Sequence, residues 1–317
     1  MLASDKRKAV RNSLELRLRR CKGTGLQEFL ALVMAKLHGE NFVAAGTDYS
    51  RGDLQCDGLL QDPLTIFACY GPVNAGAHQT EASMVKAVAK VASDYEGAYK
   101  HWPDLKEWVF VTNYLDTPAQ ITQELLRLKS TVTGRKLRIY GRPQFESDIL
   151  GLGEADIEDL LGNDATEVAF RSIQPQEVLD VVKAVMATAS ASRLDDGMPI
   201  VVPFEKLEFN GLEEIYKDRI AAGFKNAPVV QKLVRDHPNP LLEGDLAAVY
   251  KAKYLELTSQ AMQPGEVMDE LYAFTLAENR PTTPREVAVW SLLAYMFERC
   301  TIFKDKPVTG TPIEEAA

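Results

Sequence analysis

The feature that most restricts how this chain can fold is a change of hydrophobic period, repeated several times between Gly25 and Tyr140 and absent beyond Gly151. Leu26, Phe29, Leu30, Val33 and Leu37 recur at helical spacing and stop near Gly39, as in a helix that lays one face on a core. Asn41 to Val43 and Thr65 to Tyr70 read as strands. Gln79 to Tyr99 returns to helical spacing through Ala82, Val85, Val88, Ala89 and Ala92. Trp108 to Thr112 is continuously apolar, which suits a strand covered on both faces. Thr117 is placed to cap a helix running from Pro118 through Lys129, and Leu137 to Tyr140 forms a last strand. Helix, strand, strand, helix, strand, helix, strand predicts an α/β core with a mixed sheet between helices. No strand leads into a glycine-rich phosphate loop, so a dinucleotide fold is not expected.

Beyond Gly151 the pattern becomes helical, with a short helix at Asp156 to Leu161 and a longer one at Pro175 to Ala189 carrying Val178, Val181, Val182 and Val185. Ala189 to Gly197 is small and polar, the make-up of an exposed connection, and sets an expected boundary near residue 198. The expected domains are therefore 1–198 and an all-α 199–317. The second is interrupted at Pro228, Pro238-Asn239-Pro240, Pro264-Gly265 and Pro281 to Pro284. Its final helix, Arg285 to Phe303, aligns Val289, Leu292, Leu293, Met296, Phe297 and Cys300 on a broad apolar face. That face reads as core, and it is wide enough that part of it could also be shared with a second copy or a partner.

Chemistry-bearing residues concentrate in Gly52-Asp53-Leu54-Gln55-Cys56-Asp57-Gly58 and, after an Asp62-Pro63 turn, in Ala68-Cys69-Tyr70-Gly71-Pro72. The turn lets Asp57 and position 68 meet on adjacent strands. This is the layout of a PD-(D/E)xK phosphodiesterase core, in which an acid and a later Glu, Asp or Gln hold Mg²⁺ or Mn²⁺ and a Lys two residues on serves the attacking water. The element order is likewise restriction-endonuclease-like. Here Ala68 occupies the second-ligand place and Tyr70 the Lys place. Asp57 is the leading metal ligand, Asp53 the runner-up, and Glu28 a third acid from the first predicted helix, with Gln27 competing for that role. Lys86 and Lys90, one turn apart on the next helix, are candidates for the cation that Tyr70 cannot supply. The bland alternatives are a Gly-Asp turn into an ordinary hairpin and lysines on a solvated helix face.

The net charge of −9 argues against a nucleic-acid partner until its distribution is considered. Residues 1–22 carry eight basic groups against Asp5 and Glu15, a net +6, which leaves −15 for the rest. Arg17, Arg19, Arg20 and Lys22 are accordingly candidates for DNA-backbone contacts, a solvated terminal tail being the alternative. Cys21, Cys56, Cys69 and Cys300 have neither disulfide-framework nor zinc spacing, and His38, His78, His101 and His237 form no cluster. No Ser nucleophile elbow is present, and no apolar run approaches the length of a membrane span. With a charged run after Met1, a cytoplasmic protein is expected.

These residues resemble one family across nearly the whole chain: the effector or middle components of bacterial ABC-three-component defence systems, to which Lamassu-type systems are related. The likeness lies in Leu14-Glu15-Leu16-Arg17-Leu18, Gln27-Glu28-Phe29, Cys56-Asp57-Gly58-Leu59, Ile66 to Pro72, Trp108 to Asn113 and Asp159-Leu160-Leu161-Gly162. It continues through Leu207 to Leu212 and Ala294 to Phe303. The resemblance implies a Mg²⁺-dependent endonuclease module fused to a helical domain that docks onto an SMC- or ABC-type ATPase with its accessory subunit, responding to foreign DNA; cutting both strands needs two such sites, so a homo-oligomer is expected. The family pattern carries Gln where Ala68 stands. A methyl group cannot ligate Mg²⁺, so this copy is either degenerate or inactivated at that position, and an inert adaptor linking the ATPase to DNA or to another effector is the competing expectation.

Overall fold

The computed structural model describes residues 4–45, 54–73, 75, 80–162, 165–188, 210–260, 262–277, 282–299 and 302–303. They form two compact units, Met1–Asp164 and Ala165–Ala317. The boundary expected near residue 198 lies within 189–209, outside the described residues, and the units divide between Asp164 and Ala165.

The first unit is a three-layer α/β sandwich. Its elements are α1 (Ser4–Arg20), α2 (Thr24–His38), β1 (Phe42–Ala44), β2 (Gly58–Leu60), β3 (Thr65–Tyr70), α3 (Glu81–His101), β4 (Glu107–Thr112), α4 (Ala119–Thr131), β5 (Lys136–Tyr140), α5 (Arg142–Leu150) and α6 (Glu154–Leu161). The strands lie in sequence order. β1, β2 and β3 pair antiparallel, whereas β3, β4 and β5 pair parallel with α3 and α4 as the crossovers. The two-residue period of β3 and β4 divides their side chains. Phe67, Cys69, Val109 and Val111 pack with α1, α2, α5 and α6, while Ile66, Ala68, Trp108 and Phe110 pack with α3 and α4.

The basic N-terminal segment is not a solvated tail. Its residues form α1, which buries Val10, Leu14, Leu16 and Leu18, and the spacing of these four between cations is what makes it a core helix. Lys6 and Arg11 meet Glu154 and Glu146 at 2.8 and 2.6 Å, so part of the local +6 is neutralised within the unit.

The second unit is helical throughout its described residues: α7 (Glu167–Arg171), α8 (Pro175–Thr188), α9 (Glu214–Phe224), α10 (Ala227–Arg235), α11 (Leu242–Ser259), α12 (Pro264–Leu276) and α13 (Thr283–Glu298). Thr282 caps α13 by accepting from Arg285 N–H. Every residue from Glu286 to Phe297 is buried, because α7, α8, α9, α10 and α12 surround this helix. The broad apolar face is therefore consumed by the unit's own core, which leaves none of it from Glu286 to Phe297 to share between molecules; the helix, expected to run to Phe303, ends at Glu298, with Ile302 and Phe303 outside it and Cys300 beyond the described residues. Among the described residues no helix is long and apolar enough to cross a membrane.

Candidate functional site

Asp57 stands immediately before β2, one step beyond the Gly58–Phe67 pair and thus on the ladder toward Ala68. Its backbone N–H donates to Phe67 O at 2.9 Å. Oδ2 accepts from Cys69 N–H at 2.5 Å, and Oδ1 accepts a short hydrogen bond from Gln27 Nε2 on α2. The carboxylate thus fills the gap where β2 and β3 cease to pair, with the Cys69 N–H and the Gln27 amide among the donors that hold it. Of the two candidates on α2, the one that reaches Asp57 is Gln27; Glu28 is exposed to solvent. Asp53 lies outside the described residues.

The chain around the carboxylate is fixed by close backbone packing. Gly23, at the start of α2, donates to Gly71 O at 2.7 Å, and Asn113 Nδ2 donates to Cys21 O at 2.8 Å and Pro72 O at 3.3 Å. These bonds draw the α1–α2 junction onto the C-terminal ends of β3 and β4. Burial pushes the Cys21 thiol up to about 11 despite the nearby Arg17 and Arg20 guanidiniums, and burial raises the Cys69 thiol well above its usual value with Asp57 adding to it. Neither is a nucleophile at neutral pH.

On the opposite face of β3, Ala68 is 2% exposed within the layer that includes Ala87 and Val91 of α3. Tyr70 stacks on Phe110 with ring centroids 6.1 Å apart. The two lysines of α3 differ. Lys86 is exposed, whereas Lys90 Nζ meets Asp94 Oδ1 at 2.6 Å. Asp94, 3% exposed, was not among the residues singled out in the sequence, because nothing in a helical pattern marks which polar position turns inward.

The four basic candidates of α1 and its junction occupy several settings. Arg17 lies over the Phe29 ring at 5.2 Å, and Arg19 bonds Glu15 at 3.0 Å with only 13% of its side chain exposed. Arg142 also pairs with Glu15, at 3.1 Å. Arg20 and Lys22 are half-buried. Packing and ion pairs thus engage Arg17 and Arg19 within the unit.

A Mg²⁺ or Mn²⁺ ion needs several oxygen ligands, and the described residues do not supply them. Both Asp57 oxygens are engaged, Ala68 offers none, and no group of three or more His, Cys, Asp or Glu is poised for a metal among the described residues. What the arrangement does offer is a fixed carboxylate at the end of the β2–β3 ladder and, toward α3, two phenols, Tyr70 and Tyr114, with the Lys90–Asp94 ion pair.

Comparison with known proteins bears on the other unit. Residues 176–304 match the family model for C-terminal domain 10 of the ABC-three component (ABC-3C) systems. The second unit carries an ABC-three-component C-terminal domain. No curated protein and no solved structure matches the chain. A component of a multi-component ABC-3C defence system implies further subunits, and the ABC-3C domain is built to hold its shape. Glu286, at its centre, accepts from Tyr272 OH and, at 2.7 Å, from Trp290 Nε1. Tyr216 OH donates to Asp269 at 2.8 Å, and Asn226 reaches Phe170 O and Ser291 Oγ. Gly223 lets α9 approach α13 closely, since a Cβ there would collide with Trp290 O.

Proposed function

We propose that the protein is the DNA-directed subunit of an ABC-three-component defence system, with a nuclease-type N-terminal unit interrupted at position 68 and a C-terminal domain that docks onto an ATPase partner. One observation carries this reading: Asp57 is oriented by Gln27 and Cys69 N–H at the point where β2 and β3 part, on the ladder toward a methyl group. That is where a phosphodiesterase of this topology needs its acid and second ligand, and the second is missing. In such enzymes a divalent cation stabilises charge at the scissile phosphate and generates the nucleophile.

Ala68→Gln and Ala68→Glu test the reading by nicking of supercoiled plasmid with Mg²⁺ or Mn²⁺. The native chain should be silent, and at least one variant should gain on the order of a hundredfold or more. Ala68 is packed against α3, so a longer side chain costs roughly 1–3 kcal/mol, and unfolding is measured alongside to separate lost fold from lost chemistry. A native chain that cuts as fast as the variants would remove position 68 from the site.

The second reading is an inert adaptor, favoured by the lack of a three-ligand group among the described residues. In that case native chain and variants are all silent, while DNA binding and co-purification with the ATPase persist.

A further inference from the structure

Lys90 and Asp94 take no part in the arrangement that holds Asp57, and their placement asks for an explanation. Asp94 sits on the face of α3 otherwise made of Ala87, Val91, Tyr95 and Ala98. A carboxylate there is unfavourable unless a cation meets it, and an apolar pair of similar volume generally packs such a face at no loss of stability. Lys90 meets it at 2.6 Å while keeping 42% of its own side chain exposed. The result is an ammonium pinned at one place and still open to solvent.

That place faces the candidate site. β3 turns Ala68 and Tyr70 toward the layer of α3. Gly97, one turn after Asp94, receives the Gln55 side chain so closely that a Cβ would collide with it. Gln55 belongs to the turn before Asp57, where Leu54 and Gln55 adopt left-handed φ of 56° and 58°. The Asp57 turn therefore rests on α3 one turn beyond Asp94. Burial raises the Tyr70 phenol above its usual value and the Lys90 ammonium draws it partly back, so the two are within electrostatic reach. Tyr114 supplies the second observation. It is 2% exposed, its hydroxyl has no hydrogen-bond partner among the described residues, and burial first and Tyr70 second push it up to about 12. A buried hydroxyl beside Tyr70 with no partner among the described residues is a donor waiting for an outside acceptor.

We propose that Lys90, held in place by Asp94, contacts a backbone phosphate of DNA at this site, doing from α3 what Tyr70 cannot do from β3. The proposal rests on the DNA-directed reading above. Asp94 is the positioning residue. It occupies one ammonium donor and leaves the others for phosphate oxygens, with the half-buried Tyr70 alongside as a neutral neighbour.

The test is the salt dependence of duplex DNA binding by the intact protein, using a labelled duplex and fluorescence anisotropy. Lys90→Gln should lower affinity about tenfold at low salt and reduce the slope of log K against log salt by about one. Lys90→Arg should restore the slope, and Lys183→Gln, on the C-terminal domain, should change neither. Asp94→Asn should keep the slope but weaken binding by about threefold, as expected of a positioning role. Should Lys90→Gln fail to fold, the double change Lys90→Met and Asp94→Leu restores an apolar face and should show the same lost unit of slope. A folded Lys90 variant with native slope and affinity overturns the proposal and leaves the DNA-directed reading standing. If the native protein binds no duplex at all, that reading falls and the proposal with it.

Discussion

Glu286 in the C-terminal domain and Tyr114 in the N-terminal unit are both almost inaccessible to water, but only the first has found partners. Glu286 closes on Tyr272 and Trp290, as Asp269 does on Tyr216 and Tyr250 on Thr275. In the N-terminal unit, open valences gather just past the end of β4: the Tyr114 hydroxyl and Asn113 Oδ1 are buried with no partner among the described residues. A closed network specifies one packing and has nothing further to bind. An open one is a place that a ligand can complete.

The contrast breaks most visibly at Glu286. Replacing it with Ala leaves the Trp290 N–H and Tyr272 hydroxyl without their acceptor and opens a void, at a cost of about 3–5 kcal/mol. Calorimetry of the intact protein should show the transition of the C-terminal domain falling while that of the N-terminal unit holds. A loss under about 1 kcal/mol would mean the network is not closed in solution.

A middle-sized effect separates packing charge from binding charge. Arg19→Ala removes a partly buried partner of Glu15 and should cost roughly 1 kcal/mol of N-terminal stability, with no change in the salt slope of DNA binding. A slope reduced by a full unit with stability intact would restore α1 as a DNA-tracking element and move the binding surface away from α3.

The smallest effect is at Tyr114. Tyr114→Phe deletes a hydroxyl with no partner among the described residues, so stability should stay within about 1 kcal/mol and any shift should be upward. The native phenol, raised to about 12, keeps its proton in the folded state above the usual phenolic range. Folding is therefore favoured below pH ~10, and that contribution is lost as pH rises toward 12. The Phe variant should lose less stability than the native protein across this window in urea titrations. A clear loss at neutral pH would show that the hydroxyl has a partner.

Most of the sheet and its crossovers were legible, because Leu26, Phe29, Leu30 and Val33 and the run Trp108 to Thr112 carry unambiguous periods. β2 was harder: three residues, Gly58–Leu60, are too few to show alternation. The core role of α1 was hidden by its cations, since eight basic residues in the first 22 mask the buried Val10, Leu14, Leu16 and Leu18. In the site, the Asp57 neighbourhood could be read from the spacing to position 68, but the preference of Gln27 over Glu28 depends on the rotation of α2, which two adjacent polar residues do not reveal. Asp94 was invisible for a related reason. It sits on the buried face of α3 with Ala87, Val91, Tyr95 and Ala98, and a single polar residue in that stripe does not announce that it faces inward.

The parallel half of the sheet ends at β5, and its outer rim has a consequence for how copies of the chain meet. Lys136 is exposed there, and Arg138 is clamped across to Glu107 of β4 at 2.5 Å. A further strand adding to this rim would have to approach fixed and free positive charge, which is how natural sheets discourage open-ended stacking. Assembly into a larger machine is thereby steered away from strand addition at this side and toward helical surfaces, and a defence component can accumulate in the cell without polymerising through its own sheet.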